Sequence, residues 1–253
     1  MTGADEIEEP GERIAKYLAR AGVASRREAE RLIAQGIVTV DGETLTTPAF
    51  KVRPGMEIRI DGTRVGEKET AQLWRYHKLA GLVTTHKDPQ GRPTVFAAVA
   101  GRLPRVISVG RLDLATEGLL LLTNDGALAR RLELPATGWV RRYRARVHGG
   151  VDERALAALG EGVTIDGVAY KPIKAVLERK TGANQWLAIS LTEGKNREVR
   201  KVMAHLGLQV SRLIRTAYGP FQLGGLAKDA IEEIPMKQLR EQLGRKVSEE
   251  IGL

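Results

Sequence analysis

GRLDLATEGLLLLTNDG, residues 110–126, places one carboxylate, Asp113, two residues after Arg111 and just ahead of four consecutive leucines at 119–122. An apolar run of this length, bounded by turn-forming residues, reads as a buried strand. The residues before it then read as a loop that delivers the chain into the core, and Asn124-Asp125-Gly126 reads as a turn. Asp113 is the odd member. A carboxylate at the mouth of an apolar segment needs water or a partner, and Arg111 is the only cation close to it in sequence. Either Asp113 caps a turn or pairs with Arg111, or it is an acid held at the core edge for chemistry.

The rest of the chain narrows the choice. Its 253 residues allow one large domain or two of ordinary size. With 42% hydrophobic and 28% charged residues it can bury a core. No segment reaches 18 uninterrupted apolar residues, so no membrane span is expected. The acidic start, MTGADEIEEPGERI, lacks the apolar stretch of a signal peptide. Cysteine is absent, which removes disulfides, thiolate catalysis and cysteine-based metal sites. The expected compartment is the cytoplasm. The net charge is +9, and the surplus is uneven. Residues 1–70 hold 11 Lys/Arg against 13 Asp/Glu, and residues 71–253 hold 29 against 18. A surplus concentrated in one part suits a polyanionic partner.

Two parts are expected, joined near residue 65. In ERIAKYLARAG (12–22), Ile14, Tyr17, Leu18 and Ala21 recur at helical spacing before Gly22. In SRREAERLIAQG (25–36), Ser25 and Glu28 form a capping box ahead of the stripe Ala29, Leu32, Ile33. IVTVDGETL (37–45) reads as a hairpin with an Asp-Gly turn, and MEIRIDG (56–62) as a further strand. Arg26 and Arg27 stand in the first turn of the second helix, where the helix dipole favours negative charge. That placement suits a phosphate guest or two solvated arginines. The polar stretch 62–72 reads as a linker, with the junction placed at 65–72.

The second part mixes strands and helices. QLWRYHKLAGLVTTH (72–86) reads as a strand and turn, VRRYRARVHG (140–149) and QWLAISLTEG (185–194) as strands, and ERALAALGEG (153–162) as a short helix. In NREVRKVMAHLGL (196–208), Val199, Val202, Met203 and Leu206 mark a core-facing helix, with Asn196 as its expected cap. Strands outnumber helices and often adjoin, which implies an α+β fold with a largely antiparallel sheet flanked by helices. The four histidines show no metal-ligand spacing, and no phosphate-loop or dinucleotide motif occurs. Strand alternation sets Tyr143, Ala145 and Val147 on one face of 140–149 and Arg142, Arg144 and Arg146 on the other. At the helix start, Lys195, Arg197, Arg200 and Lys201 repeat the wrong-signed pattern seen at Arg26, with Arg200 on the flank of the apolar stripe.

KYLARAGVASRREAERLIAQGIVTVDGETL (16–45) resembles the S4 RNA-binding domain, here spanning 11–64. That likeness implies Arg13, Lys16, Ser25, Arg26, Arg27 and Arg31 as RNA contacts. GRLDLATEGLLLLTNDG, the arginine–tyrosine strand and EGKNREVRKVM, in that order after such a domain, resemble bacterial ribosomal-RNA pseudouridine synthases. HKLAGLVTTHKDPQGRPTVF (77–96) and SRLIRTAYGPFQLGGL (211–226) extend the likeness over nearly the whole chain. The nearest subgroup contains the small-subunit enzyme A and the large-subunit enzymes B, E and F. This tilts the expected target toward the large subunit and its B-type enzyme. The resemblance implies that residues 73–253 form the catalytic domain. In it Asp113 is the essential carboxylate, Tyr143 packs on the target base, and Arg200 pairs with the aspartate. Arg111 engages RNA as the base leaves the stack, and Lys195, Asn196 and Arg197 contact RNA. It further implies a ribosomal RNA or assembly-intermediate substrate, a monomer, and no metal, nucleotide or other cofactor. Two positions depart from the pattern. Glu117 replaces a small residue and adds charge near Asp113, and HKLAG stands where Asn-Lys-Pro-x-Gly is usual. Three rivals remain: a non-catalytic RNA-binding or assembly factor, a small-subunit enzyme, and a glycosidase-like reaction using Glu117 or Asp125 as second carboxylate.

Overall fold

A computed structural model describes residues 11–66, 69–181 and 184–251. Residues 1–10, on which the absence of a signal peptide was argued, lie outside the described residues. The chain divides into two compact units, one ending at Ala71 and the next beginning at Gln72.

The first unit opens with β1 (Glu12–Arg13), α1 (Ile14–Arg20) and α2 (Arg26–Ala34). The serine hydroxyl of Ser25 accepts the Glu28 N–H at 3.1 Å, and the Glu28 carboxylate accepts the Ser25 N–H at 3.3 Å. This is the expected capping box, and it satisfies two donors that a helix start leaves free. There follow β2 (Val38–Val40), β3 (Glu43–Thr44), β4 (Lys51–Val52), β5 (Ile58–Ile60) and β6 (Thr63–Arg64). Asp41 and Gly42 both take positive φ, as a two-residue hairpin turn requires. Ile14, Leu18, Ala29, Ile33, Val38 and Ile58 form the core between the helix pair and the sheet. The expected linker began too early: Thr63 and Arg64 pair with Ile60 and Arg59, and Val65 is buried in this core. Polar strand residues that face water carry no apolar period, so the stretch read as linker. Glu67 and Lys68 lie outside the described residues.

The second unit is α+β. It contains β7 (Leu73–Lys78), α3 (Val95–Val99), β8 (Ile107–Val109), β9 (Thr116–Thr123) and α4 (Gly126–Glu133). Next come β10 (Arg141–His148), α5 (Glu153–Ala158), β11 (Val163–Ile165), β12 (Val168–Tyr170), β13 (Lys174–Thr181) and β14 (Asn184–Leu191). The last elements are α6 (Glu198–His205), β15 (Gln209–Tyr218), β16 (Phe221–Gln222), β17 (Ile231–Glu233), α7 (Met236–Leu243) and α8 (Arg245–Ile251). A nine-stranded sheet runs β13-β14-β10-β15-β9-β7-β17, with β16 paired to β15 and β8 to β9. β9 pairs parallel with β15, and the other strand pairs of this sheet are antiparallel.

β9 is the leucine strand, and Leu119 to Leu122 are each 0% exposed. Leu119 and Leu121 pack with Leu128 and Leu132 of α4 and Leu239 of α7. Leu120 and Leu122 pack with Trp74, Tyr76 and Val95 on the opposite side. Gly118, at φ +101°, lets the parallel neighbour approach, since a Cβ there would lie 2.3 Å from the Arg215 carbonyl oxygen. Two expectations fail here. Asn124-Asp125-Gly126 is not a turn between strands but the start of α4, where the Asp125 carboxylate accepts the N–H groups of Ala127 at 2.7 Å and Leu128 at 2.9 Å. The short polar triplet signals a turn or an N-cap equally well, and α4 behind it was missed. Asn196 does not cap α6 either. The cap position is Arg197, at φ +52° and without a side-chain cap bond. No helix among the described residues is long and apolar enough to cross a membrane.

Candidate active site

The loop between β8 and β9 brings Asp113, half-buried, into the wall of a cavity of about 330 Å³. Lys78 fixes that loop. Along β7 the alternation Trp74, Tyr76, Lys78 carries the lysine inward, and it is 0% exposed. Its ammonium donates to the carbonyls of Leu79 at 2.9 Å, Asp113 at 3.2 Å and Thr116 at 2.9 Å. Burial pulls its pKa down to about 8, against the opposing pull of the Asp113 and Glu117 carboxylates. The Asp113 carbonyl also accepts the Thr116 N–H at 2.9 Å. The backbone is therefore tied down while the carboxylate faces the cavity.

Arg200 reaches the same loop from α6. Its guanidinium donates to the Ala115 carbonyl at 3.1 Å and to the Val210 carbonyl at 2.9 Å. The direct Arg200–Asp113 pair expected from the sequence is not formed, nor is one between Asp113 and Arg111, among the described residues. The charges of Arg200 and Asp113 attract at longer range. Burial first, and Arg197 second, leave Arg200 below the ordinary arginine range despite that attraction. Arg111, Lys195, Asn196 and Arg197 are exposed along the rim of the cavity. Tyr143, half-buried on β10, lies opposite Arg215 on β15 and packs against two core clusters at once, in the seam where the cavity opens.

The sequence reading passes over Glu198 and Arg215 in the wall and Lys78 behind the loop. For Lys78 and Arg215 the signal was strand alternation, which puts each on an inward position. Glu198 is buried at the start of α6, with its carboxylate accepting the Lys195 N–H at 2.8 Å. Burial, with repulsion from Glu193, pushes its pKa up to about 7, and the Lys195 N–H and charge act against that rise. Thr116 Oγ1, Glu198 Oε1, Arg200 Nε and Arg215 Nη2 are buried without a hydrogen-bond partner, and all four residues line this cavity. Buried polar atoms ordinarily find partners. Four that converge on one cavity mark a wall suited to a polar guest.

The nearby carboxylates are otherwise engaged. Glu117 is held by Arg212 through two bonds of 2.8 and 2.9 Å, and this pair leads the effects that keep its carboxyl below the usual range. Asp125 caps α4. Neither lines the cavity, so the expected influence of Glu117 on Asp113 is met by a local counter-charge.

In the first unit, Arg13 precedes α1, and Arg26, Arg27 and Arg31 are exposed on α2. Lys16 is paired with Glu12 at 2.8 Å, and the Ser25 oxygen serves the capping box.

Residues 72–205 match the family of RNA pseudouridylate synthases, and residues 12–58 match the S4 domain. An uncharacterized RNA pseudouridine synthase of Rickettsia bellii is 46% identical over 226 residues, covering 89% of this chain and 98% of that protein. The ribosomal large subunit pseudouridine synthase B of Salmonella typhimurium is 46% identical over 240 residues, covering 90% of this chain and 80% of that one. A crystal structure of a pseudouridylate synthase superposes with a TM-score of 0.63 at 26% identity, covering 91% of this chain and 99% of the other. The chain therefore belongs to the RNA pseudouridylate synthase family and carries an S4 domain ahead of its synthase domain.

Proposed function

We propose that this protein isomerises one uridine of large-subunit ribosomal RNA to pseudouridine, with Asp113 as the essential carboxylate. The observation that carries this reading is the cavity itself. Asp113, Tyr143 and Arg200 share its wall with four buried polar atoms that lack protein partners. The large-subunit target follows from the likeness to the Salmonella enzyme.

In the reaction the bond from ribose C1′ to uracil N1 breaks, and C1′ bonds to C5 of the same base. C5 loses its proton and N1 gains one, so atoms and electrons balance without redox change or group transfer. The uridine must first leave the stack, at roughly a few kcal/mol, and stacking against Tyr143 offsets part of that. The Asp113 carboxylate meets the electron-poor ribose carbon as N1 departs. Lys78 and Arg200, bonded to the carbonyls around it, hold the loop against movement. The freed base needs polar contacts while it turns, and the unpartnered atoms of Thr116, Arg200 and Arg215 are suited to supply them.

Residues 11–64 would dock flanking RNA through Arg13, Lys16, Arg26, Arg27 and Arg31, and Arg111, Lys195, Asn196 and Arg197 would grip the strand at the cavity rim. We infer a monomer acting in the cytoplasm on ribosomal RNA or an assembly intermediate. The test is pseudouridine mapping by carbodiimide-dependent primer extension on unmodified small- and large-subunit RNA. Wild type should give one new stop on large-subunit RNA that Asp113→Asn abolishes. A stop on small-subunit RNA would move the target. A stop that survives Asp113→Asn would displace the aspartate, and tight binding without any stop would favour a binding factor.

A further inference from the structure

In half of the large sheet, β13, β14, β10 and β15, one face is buried and the other is largely polar. Alternation along these strands turns Ala145, Val147, Ala175, Leu187, Ile189 and Leu213 under α5 and α6. The intervening residues of the same strands point the other way; there Ile214 of β15 packs toward α4 and α7, and Arg142 and Lys174 border a groove shared with Glu153 and Ala157 of α5. There the face presents Arg142, Arg144, Arg146, Lys174, Arg179 and Arg212, with Trp186 among them. Val176, beside Lys174 on the edge strand, is 46% exposed.

Two carboxylates offset part of this charge. Glu178 binds Arg144 at 2.7 Å, and Glu117 binds Arg212. Arg142, Arg146 and Lys174 form no ion pair among the described residues. Arg146 and Arg212 lie directly opposite each other across β10 and β15, an arrangement of like charges that weakens a sheet. Arg144 sits over the Trp186 ring, 4.9 Å from its centroid, which holds the guanidinium upright and occupies the ring.

We propose that this face is a second RNA-binding surface, which holds the sugar–phosphate backbone of ribosomal RNA lying outside the target stem-loop. The inference rests on the reading of ribosomal RNA as substrate. A row of cations at alternate positions of β10 recurs about every 6.7 Å. That spacing meets a chain of phosphates rather than a single carboxylate. The Trp186 ring on this face is already covered by Arg144, so the face contacts backbone rather than stacking bases on the indole. β10 turns Tyr143 to the catalytic cavity and Arg142 and Arg144 to this side. A short stem-loop in the cavity leaves the second face free, whereas a longer RNA can pass round the edge strand β13 and reach it.

The test compares wild type with Arg142→Gln/Arg146→Gln/Lys174→Gln on full-length large-subunit RNA and on a synthetic stem-loop around the mapped uridine. The triple variant should bind the full-length RNA at least tenfold more weakly at low salt. The slope of log affinity against log salt should fall by about 2–3, for three lost phosphate contacts. Binding and single-turnover modification of the stem-loop should equal wild type. Unchanged affinity and slope on the full-length RNA would overturn the proposal and leave an acidic protein as the partner of this face. An equal loss on the stem-loop by a folded variant would overturn it too, because the arginines would then serve the cavity side. Should the triple variant fail to fold, Lys174→Gln on the exposed edge should still lower the slope by about 0.7–0.9, and no change would overturn the proposal. Inactivity of wild type on the stem-loop would count against the catalytic reading, while the slopes still judge this surface.

Discussion

α2 and α6 both begin among cations, yet they begin in opposite ways. The start of α2 is complete by itself: Ser25 and Glu28 satisfy each other's backbone donors, and Arg26 and Arg27 project into solvent. The start of α6 is incomplete. Arg197 adopts φ +52°, a left-handed conformation that costs an arginine about 1–2 kcal/mol. The other non-glycine residues at positive φ among those described are all aspartates: Asp41, Asp61, Asp166 and Asp229. Glu198 reaches back to the Lys195 N–H but leaves Oε1 buried without a partner. Strain and unpaired polar atoms concentrate at sites that a guest completes. The same sign mismatch in sequence thus serves two ends. On α2 it displays charge to solvent, where we propose that RNA docks, and on α6 it builds the wall of the proposed catalytic cavity.

Breaking the α6 side should change rate. Arg200→Ala removes the clamp on the Ala115 carbonyl and a cation near Asp113, and should lower kcat by about 10²–10³-fold. RNA affinity, read by filter binding beside single-turnover rates, should change little. A loss of affinity equal to the loss of rate would erase the contrast between the two helices.

Glu198 gives a second handle on α6, through stability. Its pKa of about 7 in the fold lies above the ordinary 4.5, so the folded chain holds an extra proton between those values. The protonated carboxyl is accommodated below pH 4.5, and stability declines as pH rises toward 7. Glu198→Gln escapes that decline while keeping an acceptor for the Lys195 N–H. Chemical denaturation should find it more stable than wild type by up to about 3 kcal/mol at pH 8, with the two equal near pH 4. A pH-independent difference would mean that Glu198 stays ionised in the fold.

The two sides were not equally legible. The helix pair of the first unit, its capping box and the Asp-Gly hairpin follow from local rules, each satisfied within a few residues. Leu119 to Leu122 declared a buried strand by composition alone. What failed depends on partners far along the chain. Strand alternation turns Lys78 inward, but the carbonyls of residues 113–116 that solvate it there come from a distant loop. Helical spacing puts Arg200 on the flank of its helix, but its acceptors, Ala115 and Val210, are supplied by tertiary folding. Asn196 was preferred as a cap on side-chain chemistry, while the chain puts the left-handed turn one residue later. Val65 was lost to the linker because a single apolar residue after a two-residue strand shows no period.

Breaking the α2 side should change affinity and leave rate alone. Arg26→Glu with Arg27→Glu should weaken binding of ribosomal RNA by tenfold or more at low salt. The salt slope should fall by about 1.5, as two phosphate contacts are lost. At saturating RNA the single-turnover rate should match wild type. A lowered rate at saturation would mean that these arginines shape the substrate in the cavity rather than only gather it.

The smallest effect separates the two caps directly. Ser25→Ala deletes the acceptor for the Glu28 N–H and should cost about 1 kcal/mol, felt in the first unit. Amides of α2 that exchange by local opening should lose protection about fivefold. Asn196→Ala deletes no cap bond, because Arg197 occupies the cap position and Glu198 serves the Lys195 N–H. It should leave α6 amide protection unchanged, with stability within about 0.5 kcal/mol of wild type. Its effect should appear only with RNA present, as weaker binding at the cavity rim. If Asn196→Ala instead loosens α6 as much as Ser25→Ala loosens α2, the asparagine caps the helix in solution. The α6 start would then be as self-sufficient as that of α2, and the strain at Arg197 could no longer be tied to a guest in the cavity.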